Sequence, residues 1–231
     1  MRLLFIFTGS IAVSMLFAFC FPEQQPGNHY AEKYSSSKQS DDLFVAFYNV
    51  ENLFDTTDDP GIDDAEFLPS AKNPWTNDKY KTKVSNIAKV IRAMNDGNGA
   101  DIVGLAEVEN IGVVKDLASD AQLKSLDYGV VHHESPDTRG IDVAMIYKKK
   151  SFRVTGTEFF HVDISKYEEK PTRDIVLVKG IDNHKDTLFI FLNHCPPEEE
   201  EPNNQNRGAK LRLLFYERLW IRYSFPILER R

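Results

Sequence analysis

The chain has 231 residues, of which 42% are hydrophobic and 27% are charged, and its formal net charge is -7. This composition is that of a soluble globular protein with enough material for one core or two small ones. The negative charge excludes a global basic field that would attract nucleic acid, so a polyanionic substrate would require local cations or bound metal ions. The presence of only Cys20 and Cys195 excludes a disulfide framework.

Residues 1–20 are predicted to be a signal peptide or an N-terminal membrane anchor. Arg2 supplies the positive charge, and an apolar stretch follows it as far as Cys20. This stretch is nearly long enough to cross a bilayer, so an uncleaved anchor stays open beside a cleaved signal. Cys20 stands where a bacterial lipoprotein would carry its lipid, although Phe19 is bulkier than the small residue expected before it. Each alternative predicts export to the periplasm or cell envelope, with residues 21–42 as a polar linker.

The next elements are predicted as a strand, an amphipathic helix and a second strand, over residues 43–50, 78–95 and 101–106. Asn77 is expected to cap the helix, and Lys83 to lie on its polar side. A helical crossover places two strands parallel in one sheet. Asn49 and Glu107 would then lie at the carboxyl ends of their strands, which is the edge where open α/β sheets usually bind ligands.

The later part of the chain is predicted to be mainly antiparallel β-structure. A shorter helix over 113–124 is followed by strands over 128–132, 141–147, 152–162, 175–179 and 188–193. The spacing of the last two strands favours an antiparallel hairpin. The α/β pattern of the early part and the β pattern of the later part together predict mixed sheets with helices on the outside.

Polar side chains follow apolar runs at four strand ends or adjoining loops. They are Asn49, Glu51 and Asn52; Glu107 and Glu109; Asp137, Arg139 and Asp142; and Asn193 and His194. Each group alone is also compatible with a turn cap or a solvated strand end, and Arg139 could simply pair with Asp137 in its loop. Together the groups indicate phosphoester hydrolysis, because amide and carboxylate oxygens suit Mg²⁺. His194 could position the phosphate, stabilise it or transfer a proton, and Arg139 could bind phosphate oxygens with two hydrogen bonds.

Four segments carry a family resemblance: residues 49–55 (NVENLFD), 105–110 (LAEVEN), 135–144 (SPDTRGIDVA) and 191–194 (FLNH). In this order they resemble the endonuclease/exonuclease/phosphatase family, and most closely its exported bacterial members, over residues 43–194. The resemblance implies a four-layer α/β sandwich with two central mixed sheets, incomplete in this chain.

The resemblance also implies roles for individual residues. Asn49 and Glu107 would be metal-site residues for Mg²⁺, with Mn²⁺ as the alternative ion. His194, with Asn193 beside it, would be catalytic. Arg139 and Asp142 would face the substrate.

The family pattern stops after His194. Similar proteins continue with Trp-Pro-Ser-Arg-Arg-Gly-Gly and later supply Gly-Asp-Phe-Asn and Asp-His motifs, which residues 195–231 do not contain. With a suitable choice of codons, deleting a single nucleotide from the tryptophan codon converts Trp-Pro-Ser-Arg-Arg-Gly-Gly-Thr into Cys-Pro-Pro-Glu-Glu-Glu-Glu-Pro, the sequence of residues 195–202. We therefore hypothesise that residues 195–231 are an out-of-frame tail, and a naturally divergent C-terminus is the alternative. The missing motifs predict poor stability and little or no hydrolysis by this chain.

Two functions stay open from the sequence. The first is Mg²⁺-dependent hydrolysis of a phosphoester by a nuclease or a phosphatase, and the acidic chain argues weakly against tight binding of duplex nucleic acid. The second is a non-catalytic, exported binding protein that retains the fold. The sequence indicates no protein partner.

Overall fold

The computed structural model describes residues 2–6, 42–165, 170–194 and 220–224, and it describes the first and last of these ranges through their backbone pairing. The strands are β1 (Arg2–Ile6), β2 (Phe44–Leu53), β3 (Ile102–Val108), β4 (Tyr128–His132), β5 (Asp142–Lys148), β6 (Phe152–Phe160), β7 (Ile175–Asp182), β8 (Thr187–Leu192) and β9 (Trp220–Ser224). The helices are α1 (Asn77–Ala93) and α2 (Ile111–Ser119), with short 3₁₀ turns at Ala65–Phe67 and Lys124–Leu126.

The first sheet is mixed, with the strand order β1-β2-β3-β5-β4. β2 and β3 pair in parallel through the α1 crossover, which confirms the predicted strand, helix and strand arrangement. β5 runs antiparallel to both β3 and β4. The beginning of β5 therefore lies at the same edge of the sheet as the ends of β2 and β3.

Each helix begins at a capping side chain. Thr76 rather than the predicted Asn77 caps α1, because its side chain accepts a hydrogen bond from the backbone N–H of Lys79. α2 begins two residues earlier than predicted, since the Asn110 side chain accepts from the N–H groups of Gly112 and Val113 at 2.7 and 3.1 Å. Both helices pack their apolar faces on one side of the first sheet.

The second sheet is antiparallel, with the order β6-β7-β8-β9. The hairpin predicted between residues 175–179 and 188–193 is confirmed, because β7 pairs antiparallel with β8. This sheet packs on the other face of the first sheet, and both contribute to one apolar core. A Cβ atom at Gly104 of β3 would lie 2.7 Å from the ring of Phe47 on the neighbouring strand and 3.0 Å from Leu192 of the second sheet, so a side chain there would require its neighbours to move.

The layers agree with the predicted α/β sandwich in most respects. In the described ranges there are three layers, namely the helices, the mixed sheet and the antiparallel sheet. The prediction of two mixed sheets holds for the first sheet, whereas the second is antiparallel throughout its described strands.

Both ends of the chain contribute an edge strand. β1 pairs in parallel with β2, and it belongs to the segment predicted to be a signal peptide or anchor. β9 pairs with β8 and lies within the segment predicted to be out of frame. Residues 7–41 and 195–219 lie outside the described ranges, so the export signal, the linker and the frameshift stay predictions. No helix among the described residues has the length and apolar character needed to cross a membrane.

Candidate active site

The site is built around the carboxylate of Glu107 at the carboxyl end of β3. One oxygen, Oε1, accepts a hydrogen bond from Asn49 Nδ2 at 3.0 Å and lies 3.1 Å from His194 Nε2. The other oxygen, Oε2, accepts from the backbone N–H of Asn52 at 3.0 Å. The fold therefore brings together three of the predicted site residues, Asn49, Glu107 and His194, although His194 follows a strand of the other sheet.

Backbone bulges aim Glu107 at this position. The pairing of β2 with β3 shifts register between Asn49 and Leu53, and the pairing of β3 with β5 shifts between Ala106 and Val108. Asn52 and Glu107 adopt left-handed backbone conformations, with φ of 61° and 64°. Such conformations are costly for residues other than glycine, and bulges of this kind redirect side chains next to functional sites.

Lys83 supports the bulge in β2 from helix α1. Its ammonium group donates to the backbone oxygens of Glu51 and Asn52, the latter at 2.9 Å. Burial lowers the pKa of Lys83, while the negative charges of Glu51 and Glu107 act in the opposite direction. The sequence predicts Lys83 on the polar side of α1, and the structure adds that its side chain reaches β2. Helical periodicity does not show how far a long side chain can extend toward a neighbouring strand.

The electrostatics keep Glu107 ionised at neutral pH. Burial alone would raise the pKa of its carboxyl, but hydrogen bonds from His194 and Asn49, with the charge of His194 and the Asn52 N–H, lower the pKa on balance. The Glu107 side chain is 18% exposed and can still meet a ligand. Its partner His194 is more deeply buried, at 6%.

Donor atoms around Glu107 fit a divalent cation. A carboxylate offers about four lone-pair positions, and Asn49, His194 and Asn52 use three of those on Glu107. The Asn49 Oδ1 atom accepts from the N–H of Glu51 at 2.9 Å. One carboxylate and one amide oxygen, with room for water ligands, suit Mg²⁺ or Mn²⁺.

A second polar group lies on the loop between β4 and β5 and on the segment before β7. Asp137 accepts a hydrogen bond from the N–H of Arg139 at 3.0 Å, and its Oδ1 lies 3.7 Å from Arg139 Nε. Its other oxygen lies 3.5 Å from Nη2 of Arg173. Arg139 thus pairs with Asp137 as one alternative anticipated, yet its side chain stays 46% exposed and available to an anion.

Sequence reasoning missed Arg173. Its side chain is 1% exposed, and none of its three guanidinium nitrogens has a hydrogen-bond partner within the described residues. A usable signal was its place just before β7, since β7 runs antiparallel to β8 and so begins at the edge where His194 lies. A buried guanidinium needs a countercharge, and Asp137 supplies it.

Asp142 and Asn193 are placed differently from the residues around Glu107. The Asp142 side chain is 3% exposed, and its Oδ1 accepts from the Ser135 N–H at 3.1 Å and from the Ser135 hydroxyl. In this position Asp142 holds the loop to β5, so its predicted contact with substrate stays a prediction. Asn193 is 9% exposed and immediately precedes His194, and its catalytic role also stays a prediction.

The sequence profile described as "Endonuclease/Exonuclease/phosphatase family" matches residues 44–210 of this chain. The chain belongs to the endonuclease/exonuclease/phosphatase family. The match begins one residue after the predicted start of the domain and extends beyond His194, the predicted end of the family pattern.

The chain is also similar to several solved structures, at low sequence identity. TDP2 from D. rerio with 14 humanising mutations is 16% identical, with 76% of this chain and 55% of that chain covered and a TM-score of 0.43. An endonuclease/exonuclease/phosphatase family protein from Bacteroides thetaiotaomicron is 15% identical, with coverages of 74% and 57% and a TM-score of 0.44. A mannosyl-6-phosphatase from the same species is 16% identical, with coverages of 75% and 60% and a TM-score of 0.42. The chain therefore spans a little over half of each of these proteins. Among curated proteins, none is similar enough in sequence to count as a match.

Proposed function

We propose that this chain carries the Glu107-centred part of a metal-dependent phosphoester hydrolase. The observation that supports this most is the ionised Glu107 carboxylate, hydrogen-bonded to Asn49 and beside His194 at the sheet edge. Ion pairs that only stabilise a fold are common. Here the Glu107 carboxylate instead contacts Asn49 and His194 at a point where two bulged strands of one sheet meet the end of a strand of the other. Membership in a family of nucleases and phosphatases supplies the reaction class.

Glu107 and Asn49 would hold the divalent cation through their side-chain oxygens. Such an ion, when bound, neutralises charge that develops on a phosphoryl group and polarises its oxygens. Mg²⁺ is the proposed ion, with Mn²⁺ as the alternative, because both accept oxygen ligands and several waters. The Asn52 N–H and the Lys83 contacts to the bulge keep the Glu107 oxygens in place.

His194 and Arg139 would act on the phosphoryl group itself. His194 lies 3.1 Å from Glu107 at Nε2, and its imidazole can donate a hydrogen bond or a proton to a phosphoryl oxygen. The half-exposed Arg139 guanidinium can bind two phosphoryl oxygens in parallel. Arg173 would hold the Asp137 carboxylate in place. Because that carboxylate accepts the backbone N–H of Arg139, Arg173 would also help to position Arg139.

The second candidate is a binding protein that retains the fold without turnover. It is favoured by residues 195–231, which lack the Gly-Asp-Phe-Asn and Asp-His motifs that the family resemblance leads one to expect. Under this alternative the Glu107 site would still bind a cation and an anion, but it would not release product.

Hydrolysis of generic substrates distinguishes the two functions. The full chain is assayed with bis(p-nitrophenyl) phosphate, p-nitrophenyl phosphate and a single-stranded oligonucleotide, with Mg²⁺ and then with a chelator. In contrast to the little or no hydrolysis predicted from the missing motifs, the enzyme hypothesis predicts metal-dependent product release that falls by about 100-fold in Glu107→Ala. The surface variant Glu66→Ala should keep the wild-type rate. Absence of metal-dependent release by the wild type on all three substrates supports the binding protein and contradicts the hydrolase.

A further inference from the structure

A buried histidine lies between two carboxylates where the loop of residues 133–141 joins the first sheet. His132 is the last residue of β4, and Asp142 is the first residue of β5. The two strands pair antiparallel, with His132 opposite Ala144. Glu134 follows His132 by two positions, so all three side chains lie at the root of one loop.

The distances around His132 do not correspond to hydrogen bonds. Nδ1 lies 3.5 Å from Glu134 Oε1, and Nε2 lies 3.5 Å from Asp142 Oδ2. The His132 side chain is 2% exposed, and its Nε2 has no hydrogen-bond partner in the described part of the chain. A buried nitrogen without a hydrogen-bond partner destabilises the fold, so the site requires a further group.

The two carboxyl groups also require a partner. One ligand atom from each of His132, Glu134 and Asp142 lies within 4.8 Å of the others. An imidazole and two carboxylates at this spacing offer three ligand atoms to a single cation.

We propose that His132, Glu134 and Asp142 form a binding site for a single Zn²⁺ ion, separate from the Glu107 site. Tetrahedral Zn²⁺ with bonds of 2.0–2.2 Å has neighbouring ligand atoms about 3.3 Å apart. The observed 3.5 Å separation of Nε2 and Asp142 Oδ2 matches such an edge. An imidazole nitrogen with two carboxylate oxygens favours Zn²⁺ over Mg²⁺, and water would fill the fourth position.

The surroundings of the three ligands agree with this assignment. Ser135 binds Oδ1 of Asp142 through its N–H and hydroxyl, which leaves Oδ2 directed at His132. Glu134 is 65% exposed, so its side chain can rotate toward Nε2 and leaves the ion a path from solvent. The ion would fasten both ends of the loop that carries Asp137 and Arg139. Neither Asn49 nor Glu107 takes part in this site.

Metal titration of the full chain tests the site without reference to turnover. The purified chain is stripped with chelator and titrated with Zn²⁺ by calorimetry and with Co²⁺ by visible absorption. With excess Mg²⁺ present to occupy the Glu107 site, the expected result is a single equivalent bound, with Co²⁺ bands of a nitrogen- and oxygen-ligated site. Binding should weaken at least about tenfold in Glu134→Gln and disappear in His132→Gln, whereas His184→Ala should bind as the wild type does.

Glu134→Gln keeps the test decisive if the buried His132 variant fails to fold, because the Glu134 side chain is largely exposed. Unchanged Zn²⁺ affinity in Glu134→Gln would overturn the proposal. So would the absence of stoichiometric binding by the wild type, or a cobalt–thiolate band that places the ion on a cysteine. Failure of hydrolysis alone leaves these readouts untouched, so the two proposals fail separately.

Discussion

Replacement of Glu109 by Gln should stabilise the protein increasingly as the pH rises. Glu109 is only 3% exposed, and its Oε2 atom accepts a hydrogen bond from the Asp55 N–H at 2.7 Å. Burial is the main cause that raises the pKa of Glu109 from 4.5 to about 8. The hydrogen bond from the Asp55 N–H lowers this pKa, whereas the negative charges of Asp55, Asp59 and Asp64 raise it. The folded state therefore keeps a proton that the unfolded state releases.

The sign and size of the effect follow from this difference. Because the folded pKa is raised, the stabilisation is fully present below the unfolded pKa of 4.5 and is lost as the pH rises through about 8. A difference of about 3.5 units at about 1.4 kcal/mol per unit corresponds to roughly 5 kcal/mol as an upper limit. Gln cannot ionise, yet its carbonyl oxygen can still accept the Asp55 N–H.

Urea unfolding from about pH 5 to about pH 9 measures the prediction. The free energy of unfolding of Glu109→Gln minus that of the wild type should rise with pH, by up to about 1.4 kcal/mol per unit. The exposed variant Glu66→Gln should follow the wild-type curve. A pH-independent difference between Glu109→Gln and the wild type would show that Glu109 is ionised in the folded protein and would refute the reasoning.

Two further substitutions probe the supports of the site. Lys83→Met removes the hydrogen-bond donor to the bulge in β2. The free energy of unfolding, measured by urea titration, should fall by about 1–3 kcal/mol. A loss no larger than that of the exposed variant Lys89→Met would contradict this role of Lys83. Gly104→Ala places a methyl group 2.7 Å from Phe47, which should lower thermal stability by about 1–3 kcal/mol. Gly156→Ala meets no atom within 4 Å and should melt within a few degrees of the wild type. Equal melting of the two alanine variants would show that Phe47 and Leu192 can move aside without cost.

Sequence patterns predicted the part of the site that depends on strand order. Asn49 and Glu107 each follow an apolar run, and the intervening amphipathic helix requires a parallel crossover, so their meeting at one edge follows from chain topology. His194 could be placed at the same edge through the family motif that ends its strand. These features depend on alternation and element order, which are encoded locally.

The remaining features depend on contacts between distant residues. The left-handed backbone at Glu107 arises from register shifts against two neighbouring strands, which no local pattern encodes. Arg173 lies in a loop before β7, and only the packing of that loop against the Asp137 loop shows it to be buried. The contact of Asp142 Oδ1 with the Ser135 N–H likewise depends on how the loop folds back on β5, which the sequence of the strand does not encode.

Hydrolysis by Glu107→Gln and Glu109→Gln, measured side by side with Mg²⁺ and bis(p-nitrophenyl) phosphate, tests the central claim most directly. The two carboxylates are two positions apart, but Glu107 meets Asn49 and His194 whereas Glu109 meets the N–H of Asp55. A site centred on Glu107 predicts metal-dependent hydrolysis that Glu107→Gln loses by about 100-fold and Glu109→Gln retains. Equal rates in the two variants would contradict it.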